Sequence, residues 1–369
     1  MKRLSTHDLL VELIKIPSES SNSKQVKRAI NFVIDYLKEN IKDYSNLEFL
    51  ELDCKDCHNL IVKPKNISRP KLTLYSHIDV VKADNIEQYS PIIKDDKIYG
   101  RGSGDMKCGT AIEIQTFIDQ ININPNSSLA LMIVGDEEIG GMNGIRYLLA
   151  EKEFRTDCVY MPDSGSGLDT IITDQKGILF LKITAKGVSS HGSRPHEGKN
   201  AILKAFEVIN KLYTFFEESD PTKYRSTINI SQIIAGKSFN SVPDSCEFTI
   251  DIRFTEISKI NKILQFLESS NDFTFETLLF DKNFHIEKEN SYLQEYQKIA
   301  KNTLESNVEF KFEHGGSDGR FFQNYQIPCI ITGIKKGNTH GENEWVDTEE
   351  LALAESILKD FITQTLEKA

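Results

Sequence analysis

The sequence predicts an α/β protein: a mainly parallel sheet flanked by helices, interrupted by a smaller α+β unit. Three observations carry this. Apolar runs without alternation at Leu72–Tyr75, Leu129–Val134 and Cys158–Met161 are interleaved with helical periods, as in strands covered on both faces by crossover helices. From about Lys176 the pattern becomes strict apolar/polar alternation, as in a sheet with one wet face. From Tyr292 the first pattern resumes and ends in an amphipathic helix at Thr348–Leu366. The expected boundaries are 1–176 and 287–369 for a catalytic domain in two parts and 177–286 for an inserted domain. A chain of 369 residues is long enough for two cores.

Taken in order, Thr6 is placed to cap a first helix whose Leu9, Leu10, Leu13 and Ile14 share a face, with Pro17 ending it. A second helix spans about Lys24–Glu39 on Val26, Ile30, Val33 and Leu37. Strands follow near Leu47–Leu52 and Leu60–Val62. A polar loop, Lys82–Asp96, leads into Tyr99-Gly-Arg-Gly-Ser-Gly-Asp-Met-Lys-Cys-Gly109. Glycines so closely spaced suit a backbone that bends tightly and delivers one side chain, here Asp105, to a fixed point. Helices are expected from about Gly109 and at Gly144–Ala150. The inserted unit reads as strand Ile178–Lys186, helix Asn200–Phe216, strands Thr227–Ile234 and Cys246–Phe254, helix Ile257–Leu267 and strand Thr274–Phe280. That order is a complete ferredoxin-like unit.

Composition narrows the function. Hydrophobic content of 39% and charged content of 27% describe an ordinary globular protein. A net charge of −11 argues against a nucleic-acid footprint or an anionic-membrane surface. No apolar run reaches the roughly 18 residues of a membrane span, and the polar start Met1-Lys-Arg-Leu-Ser-Thr-His does not resemble a signal peptide. Six scattered cysteines fit reduced thiols and a cytoplasmic location. Cys54-Lys-Asp-Cys57-His58 matches the haem-attachment pattern. Lacking an export signal and lying between two short strands, it is expected to be a turn.

The chemistry is concentrated at strand ends. Asp105 is an acid in an apolar neighbourhood, and a carboxylate there needs a cation or hydrogen-bond donors. His77 and Asp79 follow one strand, Asp136-Glu137-Glu138 a second, and Asp163 a third. Two later clusters, Gly315-Gly-Ser-Asp-Gly-Arg320 and Gly337-Asn-Thr-His-Gly-Glu-Asn-Glu344, add more polar groups. Taken singly, His77 reads as a core histidine, Glu137 and Glu138 as a solvated acidic turn, and Asp163 as a helix cap. Their ordered recurrence at the ends of parallel strands points instead to a transition-metal site centred on Asp105.

The motifs Ser76-His-Ile-Asp79, Gly100 to Lys107, Asp136-Glu-Glu-Ile-Gly140, Gly187 to Ile202 around His191, Gly315 to Arg320, and His340 occur in one order along nearly the whole chain. On these the chain resembles the di-zinc aminoacylase/carboxypeptidase family of metallopeptidases, which includes acetylornithine deacetylase, succinyl-diaminopimelate desuccinylase, glutamate carboxypeptidase and related dipeptidases. The resemblance implies a zinc-exopeptidase type fold with an inserted lid and dimerisation domain. It implies that His77, Asp105 and Asp163 hold one Zn2+, and that Asp105, Glu138 and His340 hold the other, with Co2+ or Mn2+ able to substitute. Asp79 would orient His77, Glu137 would act as general base on a metal-bridging water, and the peptide bond after Asp105 would be cis. His191 would hydrogen-bond the substrate carbonyl, while Asn240 and Arg253 would grip a substrate carboxylate. For Arg253 the structural alternative is a salt bridge to Asp251. His196, His285 and His314 read as structural or surface residues.

The implied partner is a small-molecule amide or dipeptide, with no nucleic acid and no membrane, and the implied assembly a homodimer through the inserted domain. Asp163-Ser-Gly departs from the glutamate of many deacylases toward the di- and tripeptidase members. Gly315 to Phe321 looks closer to the desuccinylase and deacetylase members. The reading is therefore an N-acyl-amino-acid deacylase first, a dipeptidase or carboxypeptidase-like exopeptidase second, and a catalytically silent binding protein third.

Overall fold

A computed structural model describes residues 3–217, 220 and 222–367. The chain forms two compact units. The first comprises the residues up to Thr173, Ile286–Lys311, and those from Ser317 onward; the second comprises Asp174–His285 and Phe312–Gly316.

In the first unit, strands run in the spatial order Leu47–Glu51, Leu60–Pro64, Leu129–Val134, Leu72–His77, Cys158–Met161, Cys329–Thr332 and Thr170–Gln175, with Glu309–Glu313 also pairing with Thr170–Gln175. The four central ones, from Leu129–Val134 to Cys329–Thr332, are parallel, and the flanking pairs are antiparallel. The sheet is thus mixed, with the expected parallel character confined to its centre. The link Leu52–Asn59 is shorter than the roughly dozen residues a parallel crossover needs, so those two strands return side by side in opposite directions.

Leu72–His77 and Leu129–Val134 are buried at every position, which explains their lack of alternation. The helix Lys107–Ile123 is buried nearly all round, including Glu113 and Gln115, so it shows no apolar stripe. The first helix runs Thr6–Ile14, and its cap is Ser5 rather than Thr6. Ser5 has the extended backbone a cap requires, and its Oγ accepts the Asp8 N–H at 3.1 Å, while Thr6 already lies in the first turn. Cys54 and Cys57 close a two-residue turn by reciprocal backbone hydrogen bonds of 3.0 Å, and all six cysteines are free thiols.

The loop Lys82–Asp96 is less irregular than its sequence suggests. Its strand Ile92–Lys94 pairs with Lys97–Tyr99, which pairs with Trp345–Asp347, which pairs with Lys336–Gly337. Strands of two or three residues are too short to show a period. This small sheet nevertheless ties the glycine-rich turn to the loop carrying His340.

In the second unit a four-stranded antiparallel sheet has the order Thr227–Ala235, Ser245–Phe254, Gly177–Lys186, Phe273–Asp281. The helices Ala201–Tyr213 and Ile257–Glu268 complete the ferredoxin-like sequence of elements. Leu179, Leu181, Ile183, Phe248, Ile250 and Ile252 on the strands pack with Leu212, Ile260 and Ile263 of the helices in one core. Alternate strand residues fill that core because the pleat has a period of two. Among the described residues no helix is long and apolar enough to cross a membrane.

Candidate metal centre

The parallel register fixes where the functional groups emerge. Leu72 pairs with both Leu129 and Cys158, and His77 with Val134, so these strands end at one edge of the sheet. His77 ends its strand, Glu137–Ile139 forms a single turn just past Val134, and Asp163 follows Met161. Open α/β sheets gather their sites at this carboxyl edge.

Asp105 arrives from the glycine-rich turn. Gly102 has φ +78°, and a Cβ there would lie 2.6 Å from Val80 Cγ1, so both the bend and the close approach require glycine. The Asp105–Met106 peptide bond is cis. One Asp105 oxygen, Oδ1, lies 3.2 Å from His77 Nε2, and the other, Oδ2, lies 3.2 Å from His340 Nε2. His340 Nε2 is also 3.3 Å from Glu138 Oε2, and His77 Nε2 is 4.0 Å from Asp163 Oδ1. All five residues expected as ligands therefore converge. Donor atoms of His77, Asp105 and Glu138 lie within 4.8 Å of one another, close enough to hold a metal ion, and this group draws on both expected ligand sets.

A carboxylate on each side of two imidazoles is an oxygen- and nitrogen-rich donor set suited to a transition metal. Glu138 Oε1 strengthens the fit: it is buried with no hydrogen-bond partner among the described residues. An unpaired buried carboxylate oxygen is costly unless a cation meets it.

The electrostatics agree. Burial would drive His77 toward its neutral form, yet hydrogen bonds to Asp105 and Asp79 raise its pKa well above the usual range. His340 is raised to about 10 by hydrogen bonds to Asp105 and Glu138. Burial raises the Asp105 pKa, but Lys336, His340 and His77 together hold it well below normal. Burial and then the Asp105 charge raise Asp163. The cluster demands positive charge, which protons or divalent cations can supply.

Asp79 lies behind His77 and is fully buried. Its backbone carbonyl is 3.0 Å from His77 Nδ1 and its carboxylate Oδ1 3.4 Å, so the same residue offers that nitrogen two acceptors. Asp79 also accepts the backbone N–H groups of Glu137 and Glu138, each at 3.3 Å, and the Ser20 hydroxyl at 2.6 Å. Glu137 makes none of the ligand contacts above. Burial, followed by the charge of Asp318, raises its pKa well above the carboxylate range. Asp318 itself is buried, accepts a hydrogen bond from the Tyr75 hydroxyl, and lies 3.8 Å from Arg320 Nη1.

Sequence reasoning missed a buried clamp beneath this site. Glu344 Oε1 accepts the N–H groups of Gly104 and Asp105 at 2.9 and 3.1 Å; Oε2 accepts that of Gly102 at 3.1 Å and Arg101 Nη1 at 2.8 Å. Arg101 Nη2 donates to the His340 carbonyl at 2.9 Å, so this ion pair ties the Asp105 turn to the His340 loop. Both residues stand inside the glycine-rich motifs, but an arginine and a glutamate in polar loops carry no signal of burial. Lys336 was also missed.

The remaining predicted residues lie in the second unit. His191 is exposed, and its Nδ1 is 2.8 Å from Ser193 Oγ. Asn240 accepts the Gly192 N–H at its carbonyl, 2.7 Å away. Arg253 pairs through Nε with Asp251 Oδ1 at 2.8 Å and lies over the Phe180 ring. That is the structural contact weighed as its alternative.

The fold and the acid-histidine cluster define a metal-dependent hydrolase acting on amide bonds. The chain belongs to Peptidase family M20/M25/M40, whose description it matches over residues 73–364. An uncharacterized metallohydrolase of Methanocaldococcus jannaschii is 27% identical across 96% of this chain and 100% of its own length. The succinyl-diaminopimelate desuccinylase of Ehrlichia chaffeensis is 27% identical, covering 96% of each chain. Among solved structures, a tripeptidase from Staphylococcus aureus superposes with a TM-score of 0.78 at 22% identity, covering 98% of each chain.

Proposed function

We propose that the protein is a di-zinc amidohydrolase that removes the acyl group from small N-acyl-amino acids. The observation that carries this is the Asp105 carboxylate divided between two imidazoles, which supports reading it as a ligand shared by two sets: His77 with Asp163, and His340 with Glu138. His77, Asp105, Asp163, Glu138 and His340 would hold the divalent ions, whose chemistry there would be Lewis-acid polarisation of the amide carbonyl and acidification of the attacking water. Glu137 then takes the proton of the attacking water and returns it to the departing amine nitrogen. Its burial beside Asp318 tunes the carboxyl toward that exchange. His191 is assigned to the substrate carbonyl, and Asn240 and Arg253 to a substrate carboxylate, for which a planar guanidinium is well shaped.

Relatives in sequence include desuccinylases, which supports a deacylase. A dipeptidase or related exopeptidase is the second reading, favoured by aspartate rather than glutamate at position 163. Assaying N-acetyl and N-succinyl amino acids against dipeptides, with added Zn2+ or Co2+, decides between them; turnover of dipeptides alone reverses the order. A cytoplasmic location accords with six free thiols. A homodimer through the second unit accords with its exposed Leu203, Phe206, Ile233 and Ile234, and light scattering on the purified protein tests it.

A further inference from the structure

We infer that Lys336 is a specificity residue, selecting substrates that carry a carboxylate near the scissile amide. The inference rests on the hydrolase reading above and deepens it by adding Lys336, in the first unit, to the residues that recognise the substrate carboxylate. Lys336 lies on the short strand that pairs with Trp345–Asp347, and its stem runs flat across Gly104. A Cβ on Gly104 would lie 2.9 Å from Lys336 Cβ and 3.0 Å from Cδ, so the glycine makes room for this lysine. The stem delivers Nζ to the Gly104 carbonyl at 3.0 Å, next to the shared ligand Asp105. Its charge reaches Asp105 and Asp163.

The neighbouring buried acids Asp79 and Asp318 have partners of their own. The Asp79 carboxylate is occupied by Ser20 and two backbone N–H groups, and Asp318 lies beside Arg320 and Tyr75. The Gly104 carbonyl takes one of the three N–H donors of Lys336 and leaves two for another acceptor. An anion brought by the substrate can take those two donors, and a carboxylate is the anion that N-acyl-amino acids and short peptides carry.

The test uses the zinc-loaded full chain, as wild type, Lys336→Gln and Lys336→Arg. Each is given the substrate that the wild type turns over and the same compound with each carboxylate converted in turn to its carboxamide. Lys336→Gln should raise KM for the carboxylate substrate about 10- to 100-fold, the range for losing a hydrogen bond to a charged group. On one particular carboxamide that penalty should vanish. Lys336→Arg should recover most of the loss, and zinc titration should still give two ions per chain for all three proteins. An equal penalty on every carboxamide, or loss of zinc stoichiometry in Lys336→Gln, would overturn the proposal and leave Lys336 as a brace for the Gly104 turn. If the wild type hydrolyses no amide, the hydrolase reading fails instead. Calorimetric binding of an N-acyl-amino acid and its carboxamide to zinc-loaded wild type and Lys336→Gln then still judges the lysine: tighter carboxylate binding that depends on Lys336 upholds it, and indifference refutes it.

Discussion

Asp79 and Glu137 are joined by a hydrogen bond that couples His77, a proposed metal ligand, to the proposed base. The Asp79 carboxylate accepts the Glu137 backbone N–H at 3.3 Å while standing 3.4 Å from His77 Nδ1. One buried acid therefore sets both the ring of His77 and the turn that carries Glu137 and Glu138. Asp79→Asn keeps the shape but must turn an NH2 group toward at least one backbone donor. Such a change behind a ligand typically costs 10- to 100-fold in metal affinity. Zinc titration should show that loss with folding intact by circular dichroism, and unchanged affinity would refute the coupling.

Glu137 separates chemistry from metal binding. It lies beside the ligands without joining the contacts among them, and its carboxyl is tuned by burial and Asp318. Glu137→Gln should retain two zinc ions and its melting temperature while kcat falls by about 10²- to 10⁴-fold, the range for removing a general base. A variant within threefold of wild type would exclude Glu137 from proton transfer.

Much of this arrangement is legible in the sequence because strand ends and ligands coincide. Leu72–Tyr75 announces a buried strand, and His77 follows at its end. Asp105 announces itself by the glycines around it. The parts that were not legible share one physical feature: they depend on contacts between segments far apart in the chain. Arg101 and Glu344 are separated by more than two hundred residues and meet through strands too short for periodicity. Lys336 sits in a lysine doublet that reads as an exposed turn, and only the pairing of its strand carries it over Gly104. The cap of the first helix moved from Thr6 to Ser5 because adjacent hydroxyl residues are distinguishable only by backbone conformation.

Metal uptake should release protons. The carboxylates hold His340 protonated to about pH 10, and His77 is likewise raised. Both rings must lose that proton to serve as ligands, so below about pH 10 zinc affinity should rise with pH, by up to tenfold per unit for each proton displaced. Calorimetric enthalpies at pH 7 should therefore vary with the ionisation heat of the buffer. The melting temperature should climb with free zinc, with about 2.7 kcal/mol gained per site at a hundredfold excess over Kd. Buffer-independent heats or a zinc-independent melting temperature would contradict protonated ligands at this centre.

The Arg101–Glu344 clamp should matter to stability and to the site together. Glu344 accepts four hydrogen bonds, three of them from the backbone of the turn that presents Asp105, and it is almost fully buried. Glu344→Gln leaves Arg101 charged and unpaired in the interior, and replaces one acceptor oxygen with a donor facing backbone N–H groups. Breaking a buried pair from one side typically costs about 3–5 kcal/mol. Urea denaturation of the zinc-free protein should register a loss of that size, before any metal is involved. Arg101→Met should cost less, because it leaves the Glu344 carboxylate with its three backbone donors, but it also frees the His340 carbonyl. Arg101→Met should then weaken zinc binding more than its modest stability loss explains. If both variants unfold at the wild-type urea midpoint, the clamp carries no energy, and the two loops are held by their strand pairing alone.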